Sequence, residues 1–352
     1  MTPEITIAGR KIGPNHSPYI ICELSGNHNG SLDRALTLID AAADTGCDAI
    51  KLQTYTADTI TINSHNPEFL IKGGLWDGRN LYELYQEAQT PFEWHAALFE
   101  RAAKRGVTIF STPFDETAAD LLDDLGAPAF KIASFEATDL PLIAYVAQKG
   151  KPMIISTGLA TLGEAEVAVR TAQENGCNEL VLLHCISSYP APSDQSNLRT
   201  LPHLAESFVV VGGLSDHTYG TATSVASIAL GGAVIEKHFT LDRADGGPDA
   251  DFSLEPDEFK RLVDDCKNAW LSLGKVTYRT KPAEEGNQAF RRSIYVTKDI
   301  AKGEAFTRDN IRSIRPGFGL PPATLPDLLG KRATRDITFA EPMDWSMVGD
   351  EG

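Results

Sequence analysis

The chain has 352 residues, 42% hydrophobic and 23% charged, which is ordinary for a globular protein and enough for one large domain with an appendage. Its formal net charge of −16 argues against a nucleic-acid surface and against binding to anionic membranes. An anionic small substrate stays open, because a local cluster of lysine and arginine can hold one inside an acidic protein.

The cysteines and the N-terminal segment indicate the compartment. The five cysteines are widely spaced and form no C-x-x-C pair, so we expect reduced thiols. The segment MTPEITIAGRKIG lacks the apolar core of a signal peptide, and the weakly polar stretch at 224–235 is too short to span a membrane. We therefore expect a cytoplasmic protein.

In chain order, the sequence predicts a short hairpin at 3–13 and then eight apolar runs that alternate with amphipathic helical segments. The predicted strands are 19–24, 49–54, 107–112, 129–134, 152–157, 180–185, 208–214 and 234–240. Continuous apolar strands indicate parallel strands buried on both faces. Eight strand–helix units over roughly 250 residues, with no Gly-rich phosphate turn, predict a closed (β/α)8 TIM barrel of the α/β class rather than a doubly wound sheet.

The connection after the second strand, at 55–90, is unusually long and contains GGLWDGRN. Long βα loops lie at the active face of a barrel and often act as lids. Trp76 and Arg79 in this loop either clamp a ligand or pack the loop down, and the sequence favours neither.

The C-terminal part of the chain differs from the barrel in its residue pattern. After the eighth helix ends near Gly274, the segment 281–288 (KPAEEGNQ) is predicted to be a polar linker. Short apolar runs, Gly turns and prolines from Phe290 onward predict a separate small domain. We therefore divide the chain into a barrel with its hairpin at 1–280, this linker, and a C-terminal domain at 289–352.

Polar side chains recur at the carboxyl ends of the predicted strands, where such barrels place their chemistry. They include Glu23, Lys51, Gln53, Thr112, Lys131, Ser134, Glu136, Ser156, His184, Ser187, Tyr189, Ser215, His217, Glu236 and His238. Each alone would more often cap a helix, pair with a neighbour or face solvent. Their convergence on one face of the barrel indicates an active site.

Two lysines within the predicted strands suggest what the site binds. Lys51 and Lys131 have no carboxylate beside them in the sequence, and a buried ammonium group is costly unless an anion meets it. Together with hydroxyl groups of neighbouring strands they predict a cradle for phosphate and carboxylate. These hydroxyls belong to Thr112, Ser134, Ser156 and Ser215.

Two histidines end neighbouring strands, so that their imidazoles could bind one ion. His217 and His238, with water or substrate oxygens, suit a catalytic divalent metal; alternatively, each hydrogen-bonds a carboxylate. His28 and His184 are weaker candidates, and His184, in an apolar strand, is expected to be structural. Asp249, in the turn DGGPD after the eighth strand, could touch a substrate.

Several motifs, in this order, resemble the sialic acid synthase family, and the resemblance runs from about residue 17 to residue 345. They are ELSGNHNGSLDRAL, DAIKLQTY, STPFD, KIASFE, PMIISTG, GLSDHT, EKHFT, RRSIYV and IRPGFGL. Three features are similar to the branch of the family that forms pseudaminic acid: ELSGNHNG, KLQTYTADTI, and the loop GLWDGR followed by LYELYQEAQTPFEWH. Sialic and legionaminic acid synthases are similar to this chain in the barrel but differ from it in the loop that contains GLWDGR.

The resemblance implies condensation of phosphoenolpyruvate with a hexosamine-type aldose to give a nine-carbon 2-keto acid; for this branch the sugar is 2,4-diacetamido-2,4,6-trideoxy-altrose. It implies a divalent metal (Mn2+, Mg2+ or Co2+) at His217 and His238 that acts on the aldehyde oxygen. It also implies an antifreeze-like (SAF) C-terminal domain and a domain-swapped homodimer. In such a dimer this domain covers the barrel mouth of the other chain and supplies an arginine, here Arg315.

The resemblance also assigns roles within the site. Phosphoenolpyruvate would be bound by Lys51, Thr112, Lys131, Ser134, Ser156, Ser187 and Ser215, although family members often have Asn at the position of Ser187. Glu23 would activate water or stabilise the cationic intermediate, and Glu136 and Asp249 would orient sugar hydroxyls or assist proton transfer. The expected sugar contacts are Asn27, Gln53, Tyr189 and Arg315.

Two other classes of protein fit part of the pattern. A metal-dependent barrel hydrolase also uses paired histidines, but it usually has an H-x-H pair on its first strand, where this chain has Glu23. A carbohydrate-binding or structural protein with an inactive barrel is the second alternative, and the intact set of strand-end groups argues against it.

Overall fold

A computed structural model describes residues 3–349 of the chain. They fall into two compact units, one up to Gly274 and one from Lys275 onward. No helix within residues 3–349 is long and apolar enough to cross a membrane.

The first unit is a closed barrel of eight parallel strands, preceded by an antiparallel hairpin of β1 (Ile5–Ile7) and β2 (Arg10–Ile12). The barrel strands are β3 (Tyr19–Glu23), β4 (Ala49–Thr54), β5 (Thr108–Pro113), β6 (Phe130–Ile132), β7 (Met153–Ser156), β8 (Leu180–Cys185), β9 (Val211–Asp216) and β10 (Val234–His238). The last strand closes on the first, with His238 beside Glu23. The predicted TIM barrel is confirmed.

Amphipathic helices connect the strands. They are α1 (Leu32–Asp44), α2 (Ala57–Ile60), α3 (Leu81–Ala88), α4 (His95–Arg105), α5 (Glu116–Asp124), α6 (Leu140–Ala147), α7 (Leu162–Glu174), α8 (Thr200–Phe208), α9 (Ala222–Ala229) and α10 (Pro256–Leu273). Capping residues mark the ends of several of these helices. A capping box of Thr161 and Glu164 begins α7, and Gly106 ends α4 in the left-handed conformation at φ 67°.

The hairpin closes the N-terminal end of the barrel. Ile5, Ile7 and Ile12 are buried in the same apolar cluster as Phe110 of β5. At that end, the backbone N–H of Thr6 also donates to the Glu179 carboxylate, 2.7 Å away, just before β8. Hydrocarbon therefore fills this end, and the polar side chains are left to the carboxyl ends of the strands.

The seventh barrel strand begins later than the sequence predicts. The sequence predicts a strand at 208–214, but α8 continues through Phe208 and β9 begins at Val211. Val209, in the left-handed conformation at φ 54°, ends the helix between them. Because of this shift, Ser215 lies inside the strand and His217 directly follows it.

The second unit has a small core of its own, formed by apolar residues between Ile294 and Met347. Its elements are β11 (Ser293–Val296), β12 (Ile311–Ile314), α11 (Leu325–Leu328), β13 (Arg332–Ala333) and β14 (Val348–Gly349). The strands form two antiparallel pairs, β11 with β12 and β13 with β14. A 3-10 helix, Pro282–Phe290, occupies the segment predicted to be a linker.

Candidate active site

Two lysines and two glutamates form a chain of ion pairs inside the barrel. Lys51 Nζ lies 2.9 Å from Glu23 Oε2 and 3.3 Å from Glu236 Oε1. Lys131 Nζ lies 3.8 Å from the same Glu236 oxygen. All four side chains are at most 5% exposed. Sequence reasoning missed the carboxylate partners of the lysines, because β3 and β10 bring them from other parts of the chain.

Hydroxyl groups complete the surroundings of the two lysines. Lys51 Nζ donates to Thr112 Oγ1 at 3.2 Å, and Lys131 Nζ donates to Ser156 Oγ at 2.6 Å. Ser215 Oγ donates to the shared glutamate at 3.2 Å. The structure thus brings together five of the residues predicted to form the anion cradle.

Two further hydroxyls of the predicted cradle meet at a glycine. Gly158 N donates to Ser134 Oγ at 3.1 Å. A Cβ on this glycine would lie 2.3 Å from Ser187 Oγ and 2.7 Å from Ser134 Oγ, so a side chain would displace both hydroxyls. Ser187 Oγ is buried and makes no hydrogen bond with the described residues. A free hydroxyl donor in such a place suits a small anion.

Burial and neighbouring charges set the protonation of the ion-pair chain. Burial alone would lower the pKa of Lys51, but the carboxylates of Glu23 and Glu236 raise it above the ordinary lysine value. Burial raises the pKa of Glu23. Burial acts in the same direction on Glu236, yet Lys131 and Lys51 hold its pKa below the usual value. Of the two carboxyl groups, Glu23 is therefore the one whose surroundings favour a proton.

Glu23 is also linked to the loops at the barrel mouth. Gln53 Nε2 donates to Glu23 Oε1 at 3.0 Å and to Ser25 Oγ at 3.1 Å. Ser25 Oγ in turn donates to Asp249 Oδ2. Three predicted site residues thus belong to one hydrogen-bonded group, and Ser25 is a member that sequence reasoning missed.

The two predicted metal ligands lie next to each other edge to face, with ring centroids 5.3 Å apart and ring planes at 62°. His217 Nδ1 lies 3.0 Å from Ile186 O, and donation to that carbonyl leaves the Nε2 lone pair free. His238 Nδ1 is buried and has no hydrogen-bond partner within residues 3–349. Burial lowers the pKa of His238 well below its usual value, which favours the neutral ring that binds metals.

These two imidazoles fit a divalent metal with an open coordination sphere. No group of three His, Cys, Asp or Glu side chains in the described part of the chain is placed to hold a metal. A metal bound by these two imidazoles would need water or substrate oxygens to complete its coordination.

A buried ion pair behind the barrel wall braces the two histidines. Asp216 and Lys237, each directly before one histidine, are neighbours across β9 and β10, with Oδ2 and Nζ 2.9 Å apart and both side chains 1% exposed. Asp216 also accepts from Ser224 Oγ at 2.5 Å and from Thr218 N at 2.9 Å. Although burial opposes ionisation, Lys237 holds the pKa of Asp216 below its usual value. The pair therefore fixes the spacing of the histidines from the outside.

Glu136 ends a short 3-10 helix, Ser134–Glu136, that follows β6. Its Oε2 atom is buried and has no hydrogen-bond partner among residues 3–349. Burial raises the pKa of Glu136 to about 7. A carboxyl group that titrates near neutrality can both accept and donate a proton, which suits the predicted proton-transfer role.

The remaining predicted residues lie in different surroundings. The Asn27 amide donates to Phe239 O at 2.8 Å and to a serine hydroxyl, so it ties two loops together. His184 Nε2 lies 2.6 Å from Ser196 O, in keeping with the structural role expected for it. Tyr189 packs against the histidines. Arg315 lies in the second unit, exposed, directly after β12.

Comparison with known proteins places this geometry in a family. Residues 38–278 match the NeuB family and residues 291–349 match the SAF domain, as predicted. Pseudaminic acid synthase of Campylobacter jejuni subsp. jejuni serotype O:2 is 46% identical, over 92% of this chain and 95% of that protein. Pseudaminic acid synthase of Helicobacter pylori is 43% identical, over 93% and 96% respectively.

A solved structure agrees with these relatives in fold. The N-acetylneuraminic acid (sialic acid) synthetase of Leptospira borgpetersenii serovar Hardjo-bovis superposes with a TM-score of 0.73 at 32% identity. The match covers 82% of this chain and 95% of that one. The two pseudaminic acid synthases, matched over 92% and 93% of this chain, therefore extend past the barrel into the C-terminal domain.

Replacing Lys237 by Met would leave Asp216 charged and buried without its partner. We expect the free energy of unfolding, measured in urea, to fall by about 3–5 kcal/mol. The control is Lys260→Met, which removes an exposed pair with Asp264 at 3.2 Å and should cost less than about 1 kcal/mol. Equal losses in the two variants would contradict the proposed brace.

The raised pKa of Glu136 predicts a pH-dependent stability. Protonated Glu136 stabilises the fold fully below the ordinary value of 4.5, and this contribution is lost as the pH rises through about 7. Between about pH 5 and about pH 8, wild type should lose up to about 3 kcal/mol of unfolding free energy more than Glu136→Gln does. The exposed Glu166→Gln should follow wild type. Parallel curves for wild type and Glu136→Gln would refute the assignment.

Proposed function

We propose that this chain, which belongs to the NeuB family, condenses phosphoenolpyruvate with 2,4-diacetamido-2,4,6-trideoxy-β-L-altrose and water to give pseudaminic acid and phosphate. One observation carries the proposal: the same barrel contains two buried lysines with hydroxyl neighbours and two adjacent imidazoles. The first group suits a phosphorylated carboxylate, and the second suits a carbonyl compound bound through a metal. The pseudaminic acid synthases among the relatives support the choice of sugar.

The lysine side of the site would hold phosphoenolpyruvate. Its phosphate and carboxylate need cations and hydrogen-bond donors, which Lys51 and Lys131 supply at the bottom of the mouth. Ser134 and Ser187, whose hydroxyl groups meet beside Gly158, offer further donors. This arrangement would orient C3 of the enol toward the aldose.

The reaction forms a carbon–carbon bond between the two substrates and a carbon–oxygen bond between C2 and water, and it breaks the C2–O bond to phosphate. C3 of phosphoenolpyruvate attacks the aldehyde carbon, positive charge develops at C2, water adds there, and phosphate leaves with the C2–O bond electrons. A divalent metal bound at His217 and His238 would polarise the aldehyde oxygen as a Lewis acid. Glu23, whose buried carboxyl has a raised pKa, would accept the proton of the water or stabilise the charge at C2.

The remaining polar groups would position the sugar. Glu136, with a pKa of about 7, would donate a proton to the alkoxide oxygen that forms from the aldehyde. Asp249, linked through Ser25 to Gln53, would orient the sugar hydroxyls. Tyr189 beside the histidines completes the contacts that we assign to the sugar.

The proposal includes a cytoplasmic homodimer in which Arg315 of a second copy completes each site. Large apolar side chains surround the barrel mouth, exposed to solvent in the single chain, as is typical of a surface that a partner covers. They are Phe135 (60% exposed), Leu159 (74%) and Tyr219 (60%), which follow β6, β7 and β9. If a second copy covers this surface, its Arg315 guanidinium would contact the sugar.

A substrate panel tests the reaction. Phosphoenolpyruvate would be offered with N-acetylmannosamine, the bacillosamine-derived mannose analogue and the trideoxy-altrose compound, with phosphate release and keto-acid mass as readouts. We expect the trideoxy-altrose compound to have the highest kcat/KM, and Glu23→Gln to lower turnover by about 10²-fold or more. Preference for either other sugar would assign the chain to a sialic or legionaminic acid synthase. Retained activity in His217→Ala/His238→Ala without a bound divalent ion would refute the metal role.

Mixing two inactive variants tests completion of the site by a second chain. Glu23→Gln damages the barrel and Arg315→Ala damages the proposed donor, so a mixed dimer would contain one intact site of two. With random exchange of subunits, about a quarter of the wild-type activity should return. The matched control mixes Glu23→Gln with Lys131→Met. Both substitutions damage the barrel of the chain that carries them, so the mixed dimer has no intact site and no activity should return. No recovery in the first mixture after proven subunit exchange would contradict the shared site.

A further inference from the structure

Aromatic side chains continue outward from the two histidines. The Tyr189 ring lies 4.4 Å from that of His217, and Trp76 lies 5.6 Å beyond it, centroid to centroid. Phe252 lies 4.8 Å from His238 and 5.3 Å from Tyr189. Trp76, Tyr189 and Phe252, here called the aromatic wall, come from the loops after β4, β8 and β10, so three separate loops build one apolar surface beside the imidazoles.

Trp76 is held in this wall by its own polar atom. Its Nε1–H donates to Pro248 O at 2.8 Å, in the loop that also carries Asp249. The indole has no other hydrogen-bonding group, so everything else that it presents to the site is hydrocarbon. Arg79 of the same loop is instead paired with Glu87, on the exposed surface. Of the two residues singled out in this loop, only Trp76 reaches the barrel mouth.

The turn that carries Trp76 is braced from within. Ile71 N donates to Arg79 O and Gly78 N donates to Ile71 O, both at 2.9 Å, and Gly73 N donates to the Asp77 carboxylate. These bonds close the segment into a compact turn on either side of the indole. The indole position is therefore set by the loop itself as well as by Pro248.

We propose that Trp76 determines which aldose this site accepts, by placing hydrocarbon against the end of the sugar opposite the aldehyde. The inference rests on the proposed function, which puts the aldehyde at the histidines. An extended six-carbon chain spans roughly 6 Å between its end carbons, from C–C bonds of about 1.5 Å. With C1 at the imidazoles, C6 lies along the aromatic wall, where Tyr189 and Trp76 follow one another.

The chemistry at that end selects between sugars. A C6 methyl group, as in a 6-deoxy sugar, gains from burial against the indole. A C6 hydroxyl group there would lose its water and find no partner on Trp76, whose single donor is already bonded to Pro248. The site should therefore prefer a 6-deoxy aldose to the same sugar with a 6-hydroxyl group.

The test compares 2,4-diacetamido-2,4,6-trideoxy-altrose with 2,4-diacetamido-2,4-dideoxy-altrose, which differs by one hydroxyl group, in wild type, Trp76→Ala and Trp76→Phe. Wild type should favour the deoxy sugar by tens of fold up to about 10²-fold in kcat/KM, and Trp76→Ala by less than about threefold. Trp76→Phe keeps the hydrocarbon and should keep most of the preference. The loss should appear as a higher KM for the deoxy sugar, with the KM for phosphoenolpyruvate unchanged.

Trp270→Ala is the matched control, because Trp270 also donates its indole N–H to a proline carbonyl, Pro14 O at 3.2 Å, but on α10 and away from the mouth. It should leave the preference intact. An unchanged preference in Trp76→Ala, or a parallel rise in both KM values, would overturn the inference while the proposed function stands. Failure of wild type to use either sugar, or any aldose of the panel, would overturn both.

Discussion

The barrel buries two ammonium groups, and neither could stay there without the carboxylates that other strands bring to it. Lys51 and Lys131 lie on β4 and β6, whereas Glu23 and Glu236 lie on β3 and β10. An unpaired buried charge costs several kcal/mol, and the pairing of β10 with β3 brings both carboxylates to the lysines. Closure of the barrel thus also assembles the ion-pair chain.

The period-two alternation of strand residues divides the work between the two faces of the barrel wall. On β10, Glu236 faces the interior and meets the lysines, whereas Lys237 faces outward and meets Asp216. The outward pair braces β9 against β10 at the level of the histidines, and Ser224 and Thr218 satisfy the remaining oxygens of its carboxylate. Glu236 therefore faces the interior of the barrel, whereas the Asp216–Lys237 pair lies outside the barrel wall, away from any ligand in the interior.

The strand pattern predicted the barrel, because continuous apolar runs indicate buried strands. It placed some strand ends wrongly: Phe208 continues a helix, and the strand predicted at 129–134 ends at Ile132. The sequence placed Glu236 among the polar strand-end groups but assigned it no role. The pairing of lysine with glutamate depends on the stagger of neighbouring strands, which no single strand encodes. Loop contacts such as Trp76 with Tyr189 leave no periodic signal at all. His28, a weaker metal candidate, is buried against Trp94, and burial lowers its pKa to about 4.

The ion-pair chain also couples anion binding to the basicity of the site. Lys51 is shared between Glu23, Glu236 and the Thr112 hydroxyl, so an incoming phosphate or carboxylate competes with Glu23 for the same ammonium group. A buried carboxylate whose cation is drawn toward another anion gains proton affinity. Gln53 keeps Glu23 in place during that exchange. Under the proposed function, binding of the anionic substrate would therefore raise the proton affinity of Glu23 before water adds at C2.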